Sequence, residues 1–282
     1  MRAYLFAGQG AQTIRMAEEI LTVYPQALSL YKEAEEMTGI DLTRLSEVDL
    51  AQTRYAQLAI VVHSVCSLMK EREENPDVDE SAVAYAGFSL GEYTALYAAG
   101  ILSYRELLSL INERARLMQD ASEKTPGAMY AIVGLTDEQV ESALSAIDNV
   151  YPVNYNCPGQ LVIAGTESAA EKAATELLSL GARRAMRLAV NGAFHSPLMA
   201  EAAAELRAFA STLKFAPLSV PLYSNTTGAR VLADTDWPSY LEAHACSPVR
   251  FTAEIRAMRE DGYDEFVEIG PGKVLSGLVR KI

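Results

Sequence analysis

The sequence predicts an α/β fold: a mainly parallel sheet with helices, and a ferredoxin-like subdomain inserted into it. Three observations predict it. Short apolar runs alternate with helix-length stretches up to about residue 126, and the alternation resumes after residue 188. Glycine-bearing turns, at Gly8-Gln9-Gly10 and around Gly87 and Gly91, follow the apolar runs. Between these parts the rhythm changes to strand, helix, strand, strand, helix, strand. The expected division is a core of residues 1–126 and 189–282 with an insert of residues 127–188.

The elements follow in order. Residues 4–7 are apolar and read as a buried first strand. A helical pattern covers 15–37 and breaks near Pro25. Residues 55–73 form another helix. Its apolar centre, 58–69, holds His63 and two serines and is too short to span a bilayer, so it reads as buried. A strand at 83–86 precedes helices from residue 92 and over 104–122. In the insert, strands are expected at 129–134, 151–156, 161–164 and 184–188, with helices at 136–147 and 167–180. The core then resumes with helix 197–213, strand 221–224, helix 251–261 and strand 265–268.

Composition bounds the function. The chain has 282 residues, half of them hydrophobic and 22% charged, enough for a real core. A net charge of −13 argues against nucleic acid or an anionic membrane as partner. Arg183, Arg184 and Arg187, and Lys273, Arg280 and Lys281, form either a local basic patch for an acidic partner or a solvated surface. The apolar N-terminal run is too short for a signal peptide. Three widely spaced cysteines suggest neither a disulfide framework nor a metal site. A cytoplasmic protein is the simplest account, and the sequon Asn225-Thr226-Thr227 then arises by chance.

The chemistry centres on Gly87-Phe88-Ser89-Leu90-Gly91, a G-x-S-x-G pentapeptide between an apolar run and a helical pattern. This is the sequence form of a nucleophile elbow, which lifts a serine hydroxyl to a strand tip at a helix N-terminus. Amides there lack helical partners and can hold an oxyanion. A serine nucleophile needs a base, and the chain has three histidines. His63 reads as a core residue and His244, in a polar helical end, as a surface one. His195 lies in a loop of small residues before a helix and is the candidate base. No acid partner for it stands out, and a backbone carbonyl is an alternative. Gly8-Gln9-Gly10 is either the start of a weak dinucleotide fingerprint or an oxyanion-hole loop. Arg114 falls on the core side of its helix, where it needs either an internal ion pair or a bound anion.

These motifs together resemble the malonyl-CoA:acyl carrier protein transacylases, stand-alone acyltransferases of fatty-acid and polyketide synthesis. The resemblance runs from Phe6-Ala7-Gly8-Gln9-Gly10-Ala11-Gln12 to Glu268-Ile269-Gly270-Pro271-Gly272-Lys273-Val274-Leu275. Between them lie the elbow, Asn156-Cys157-Pro158-Gly159-Gln160 and Gly192-Ala193-Phe194-His195-Ser196. It implies an α/β-hydrolase-like catalytic core with Ser89 as nucleophile and His195 as base. It further implies an oxyanion hole from the amides of Gln9 and Leu90, and Arg114 as a clamp for the malonate carboxylate. Asn156 is implied as a pocket residue, Phe194 as lining the acyl pocket, and the carbonyl of Arg250 as orienting the histidine. Malonyl-CoA and an acyl carrier protein bearing phosphopantetheine are the implied partners, with no permanent cofactor and no metal; a monomer is expected. One departure stands out. The family usually has histidine before the serine, and here Phe88 adds apolar bulk beside the nucleophile, among the substrate contacts.

Two other readings stay open on sequence grounds. A serine hydrolase shares the elbow, but should show an acid partner for its histidine and has no need of Arg114. A non-catalytic carrier-binding subunit, prompted by Phe88, predicts no covalent adduct on Ser89.

Overall fold

Strand β1 (Arg2–Phe6) is the middle of a three-stranded parallel sheet, between β2 (Ala84–Gly87) and β7 (Glu265–Ile269). A computed structural model describes residues 1–79 and 82–282. The strand period of two explains why β1 is apolar throughout. Tyr4 and Phe6 face one core, while Ala3 and Leu5 face another on the opposite side. Helices α1 (Met16–Val23), α2 (Leu28–Thr38), α4 (Thr53–Glu74), α5 (Leu90–Ala98) and α6 (Tyr104–Lys124) contribute to the first core. So do α9 (Ala200–Ala210) and α10 (Trp237–Cys246). Helices α11 (Phe251–Glu260) and α12 (Val274–Val279) cover the second. Residues 56–66 of α4 are buried without interruption, which is why that helix has no polar stripe.

Two helices, a short α3 (Glu47–Leu50) and α12, are not expected from the pattern, and of α10 the pattern gives only the polar helical end at His244. Helix α10 carries a proline in its first turn, where the missing N–H leaves no bond unmade. The strand expected at 221–224 is reduced to a bridge at Tyr85. Tyr85 N–H donates to Pro221 O at 2.9 Å, and Tyr223 N–H donates to Tyr85 O at 3.0 Å. Pro221 has no N–H for the ladder, and the chain turns away at Ser224, whose carbonyl accepts from Gly228.

The inserted segment holds β3 (Gly127–Val133), α7 (Asp137–Leu144), β4 (Val150–Cys157), β5 (Gln160–Thr166), α8 (Glu167–Ser179) and β6 (Arg184–Arg187). Its sheet has the order β4-β5-β3-β6, with every neighbouring pair antiparallel. Ala128 and Ile132 of β3 pack under α7 and α8. Met129 and Ala131 point the other way, into the main core. Val249 bridges to Asn154, so β4 is joined to the core by backbone hydrogen bonds as well as by packing.

Candidate active site

Because β1, β2 and β7 are parallel, their C-terminal ends coincide, and with them the loops that follow. This is where open α/β sheets bind ligands. Strand β2 ends at Gly87 and α5 begins at Leu90, so Phe88 and Ser89 make the whole turn. Ser89 is forced to φ 51°, ψ −106°, a conformation a side-chain-bearing residue rarely adopts. The flanking glycines are required by close approach. A Cβ on Gly87 would lie 2.1 Å from Glu92 N, and one on Gly91 1.9 Å from Phe6 O.

His195 also sits at positive φ, 61°. Its Nε2 is 2.6 Å from Ser89 Oγ. Its Nδ1 lies 3.2 Å from His244 O and 3.1 Å from Ser247 O. Carbonyl oxygens only accept, so Nδ1 carries the proton and Nε2 is left to accept the Ser89 hydroxyl. Both carbonyls belong to the C-terminal end of α10, where helical carbonyls have no partner in the helix and the dipole is negative. That end favours positive charge on the ring. Burial, with the His244 ring and the Arg114 guanidinium nearby, pushes the resting His195 imidazole down to about 3.

The expected Arg250 carbonyl is not the one that meets the ring. It accepts Glu254 N–H at 3.0 Å in the first turn of α11, and Arg250 N–H donates to Asn225 O at 2.8 Å. The Arg250 guanidinium lies over the Tyr155 ring. The physical reason is α10: its free carbonyls occupy the place beside His195.

Arg114 projects from α6, which opens on a capping box of Ser103 and Glu106. The side chain is 1% exposed. Its Nη1 donates to Gln57 Oε1 at 2.6 Å, and its Nη2 lies 3.4 Å from Ser89 Oγ. The guanidinium stacks over Tyr93, 4.8 Å from the ring centre, and Nε has no acceptor. Among the described residues no carboxylate pairs with it. The internal ion pair that would make Arg114 an ordinary core residue is not found there.

A cavity of about 390 Å³ gathers Ser89, His195, Arg114, Phe88, Phe194 and Gln9. An adjoining one of about 280 Å³ is lined by Asn156, Gln160 and apolar residues of β6 and α12. The two share Gln9, Gly10, Phe88, Asn154 and Leu188. Phe88 meets Phe251 edge-on at 5.4 Å, so the residue beside Ser89 is held by an aromatic contact. Asn154 and Asn156 are buried with side-chain oxygens that have no partner. The backbone amide of Leu90 heads α5, directly after Ser89.

Several residues around the site were not found by pattern. Glu92 and Gln57 are polar residues inside apolar helical runs, and that was their one available signal. His244, expected at the surface, is 1% exposed and packs edge-on against both Tyr93 and His195. It is covered because α10 packs on α9 and α5. Asn225 is likewise buried, with its carboxamide fully engaged. His63 is a core histidine as expected, its Nδ1 on Met16 O.

A strand-tip serine touching an imidazole, at the C-terminal edge of a parallel sheet, defines a class of acyl-transferring α/β enzymes. Residues 3–281 match the acyl transferase domain family, and the chain belongs to that family. It is an acyltransferase. The malonyl CoA-acyl carrier protein transacylase of Haemophilus influenzae is 37% identical, over 99% of this chain and 91% of that protein. The crystal structure of the transacylase of the same name from Clostridium perfringens superposes with a TM-score of 0.92. It is 34% identical and covers 100% of this chain and 90% of its own. A malonyl-transacylase solved in complex with a type II polyketide acyl-carrier protein also gives a TM-score of 0.92. There the identity is 34%, covering 100% of this chain and 92% of the other.

Proposed function

We propose that the protein moves a malonyl group from malonyl-CoA to the phosphopantetheine thiol of an acyl carrier protein, in fatty-acid or polyketide synthesis, through a malonyl-Ser89 ester. The observation that carries this reading is Arg114. It is a buried guanidinium with no carboxylate partner among the described residues and one nitrogen 3.4 Å from the nucleophilic oxygen. A buried cation needs an anion, and a carboxylate matches the guanidinium fork. Malonyl carries that carboxylate at the far end of a short acyl chain; acetyl does not.

In the first half-reaction His195 Nε2 takes the Ser89 proton as Oγ attacks the thioester carbonyl. The C–S bond breaks as the tetrahedral intermediate collapses, and the proton on Nε2 passes to the coenzyme A sulfur. In the second half-reaction the carrier thiol gives its proton to Nε2. Its sulfur attacks the ester, and Ser89 Oγ leaves with that proton. The amides of Gln9 and Leu90 hold the oxyanion in both. Phe194 faces the acyl group, while Phe88 and Asn156 line the way for the pantetheine arm in the adjoining cavity. The chemistry needs no resident cofactor.

The exposed Arg184 and Arg187 on β6, with Lys273, Arg280 and Lys281 at the ends of α12, flank the elements that line that cavity. On a chain of net charge −13 they favour an acidic carrier or the coenzyme phosphates on this side. The same reading takes residues 1–126 and 189–282 as an α/β-hydrolase-like catalytic core and 127–188 as a ferredoxin-like insert. The strand order β4-β5-β3-β6 supports the insert.

Intact-protein mass spectrometry tests the proposal. Malonyl-CoA should add one malonyl mass to the wild type and none to Ser89→Ala, and a phosphopantetheinylated carrier should discharge the adduct. Release of free malonate at the same rate with and without carrier would make the protein a hydrolase instead.

A further inference from the structure

The Ser89–His195 pair is closed into a ring by residues that touch neither substrate cavity. His244 is at its centre. Its carbonyl accepts from His195 Nδ1 at 3.2 Å, and its own ring lies edge-on to the His195 ring, with centroids 5.7 Å apart. Its Nε2 is 3.4 Å from Glu92 Oε2. That same carboxylate oxygen accepts Asn225 N–H at 2.8 Å, and the other carboxylate oxygen accepts the Tyr240 hydroxyl. The Asn225 side chain then returns to the elbow. Its Oδ1 accepts Ser89 N–H at 2.6 Å, and its Nδ2 donates to Gly87 O at 2.6 Å. The circuit runs Ser89, His195, His244, Glu92, Asn225, Ser89.

Both reacting residues sit at positive φ, 51° and 61°. Such conformations persist where surrounding contacts over-determine them. The ring supplies those contacts from three separate pieces of chain: α5, the loop at Asn225 and the end of α10.

We propose that Glu92, His244 and Asn225 are positioning residues that fix the Ser89–His195 geometry, and that the Glu92–His244 pair sets the basicity of His195. The inference rests on the Ser89–His195 reading above. The His244 ring, 5.7 Å from the His195 ring, opposes positive charge on 195, and the Glu92 carboxylate lies 3.4 Å behind it. The ionisable groups facing the two rings are Glu92 and Tyr93 of α5, Arg114 of α6 and Tyr240 of α10. Glu254 of α11 is reached through Asn225 Nδ2, at 2.9 Å. Glu254, fully buried beside Glu92, is held well above the usual carboxylate range. Of the two buried carboxyls that meet Asn225, burial favours the neutral form of Glu254.

The test is the rate of malonyl-Ser89 formation against pH in wild type and His244→Gln. Misplacing a reacting pair by about 1 Å costs up to about a hundredfold. His244→Gln should therefore acylate about tenfold to a hundredfold more slowly, with KM for malonyl-CoA within about twofold. The acid limb of its pH profile should move to higher pH, because the base has lost the neighbouring ring that opposes its charge. A merely structural histidine would lower stability and leave that limb in place.

Imidazole nitrogen NMR gives a readout independent of turnover, since the chain has three histidines. Glu92→Gln leaves His244 in place but removes the carboxylate behind it; acylation should slow and the His195 nitrogen resonances should shift, and this variant serves equally if His244→Gln does not fold. An unmoved acid limb in His244→Gln, or unshifted His195 resonances in Glu92→Gln, overturns the inference while the dyad stands. A wild type that forms no malonyl adduct overturns the dyad reading and this inference together.

Discussion

On the proposed reading, Arg114 selects the substrate. Its Nη1 is committed to Gln57, while Nη2 lies toward Ser89 and Nε is unpaired. Removing one partner of a buried charge pair costs about 3–5 kcal/mol. Arg114→Ala should therefore lower malonyl transfer by roughly two to four orders of magnitude. Acetyl transfer should fall much less, because its transition state has no carboxylate to lose contact with. Arg114→Lys should recover part of the malonyl rate, since an ammonium is a point charge without the fork. The measurement is the ratio of malonyl to acetyl kcat/KM in the three proteins. A ratio unchanged by Arg114→Ala would remove Arg114 from substrate choice. The position of this arginine on the core side of its helix was legible from spacing. Its lack of a carboxylate partner was not, because an ion pair between distant segments leaves no local trace.

At the level of elements, the elbow is a contact between strand and helix as much as a turn. Gly91 lies against the backbone of β1, and an added Cβ would stand 1.9 Å from Phe6 O. Phe6 cannot retreat, since it is paired to both β2 and β7. Gly91→Ala should cost at least about 3 kcal/mol, the upper end for overpacking, because backbone rather than a side chain must move. Thermal unfolding should fall by several degrees, and malonyl loading should fall with it as Ser89 is displaced. An alanine variant with wild-type melting and loading would mean that α5 slides freely along β1. The glycines were legible in the pentapeptide. The role of the end of α10 was not: the chain shows a polar helical end at His244, but that its carbonyls face His195 is decided by packing between distant segments.

At the scale of the whole molecule, burial of histidines ties folding to pH. His63 is pushed down to about 4 and His195 to about 3, each chiefly by burial. Unfolded histidine titrates near 6.5, so the unfolded chain binds these protons first as pH falls. The stability from neutral burial is present above about pH 6.5 and is lost as pH falls toward 4. Between those values each histidine contributes a slope approaching about 1.4 kcal/mol per pH unit. Glu254, raised well above its usual range, acts in the opposite sense: its contribution is full in acid and lost as pH rises. Urea denaturation of His63→Gln from pH 5 to 6.5 should show a slope smaller by about one proton than that of the wild type. Parallel curves would mean that His63 is protonated in the folded protein.

What could be read along the chain was whatever a single segment encodes. The apolar runs and their spacing give the strands and the order of the insert, and the two glycines around Ser89 give the elbow. The shared motifs then pointed to the acyl transferase family and to His195 and Arg114. The arrangement of the site comes from contacts between segments that no local pattern records. Ser89 meets a histidine 106 residues away and an asparagine 136 residues away. Parallel strands bring those loops to one edge, and the close packing of α5, α6 and α10 behind them decides which polar groups meet. His244 is a buried neighbour of His195 instead of a surface residue for this reason: a short helix packs its last turn against the loop that carries His195.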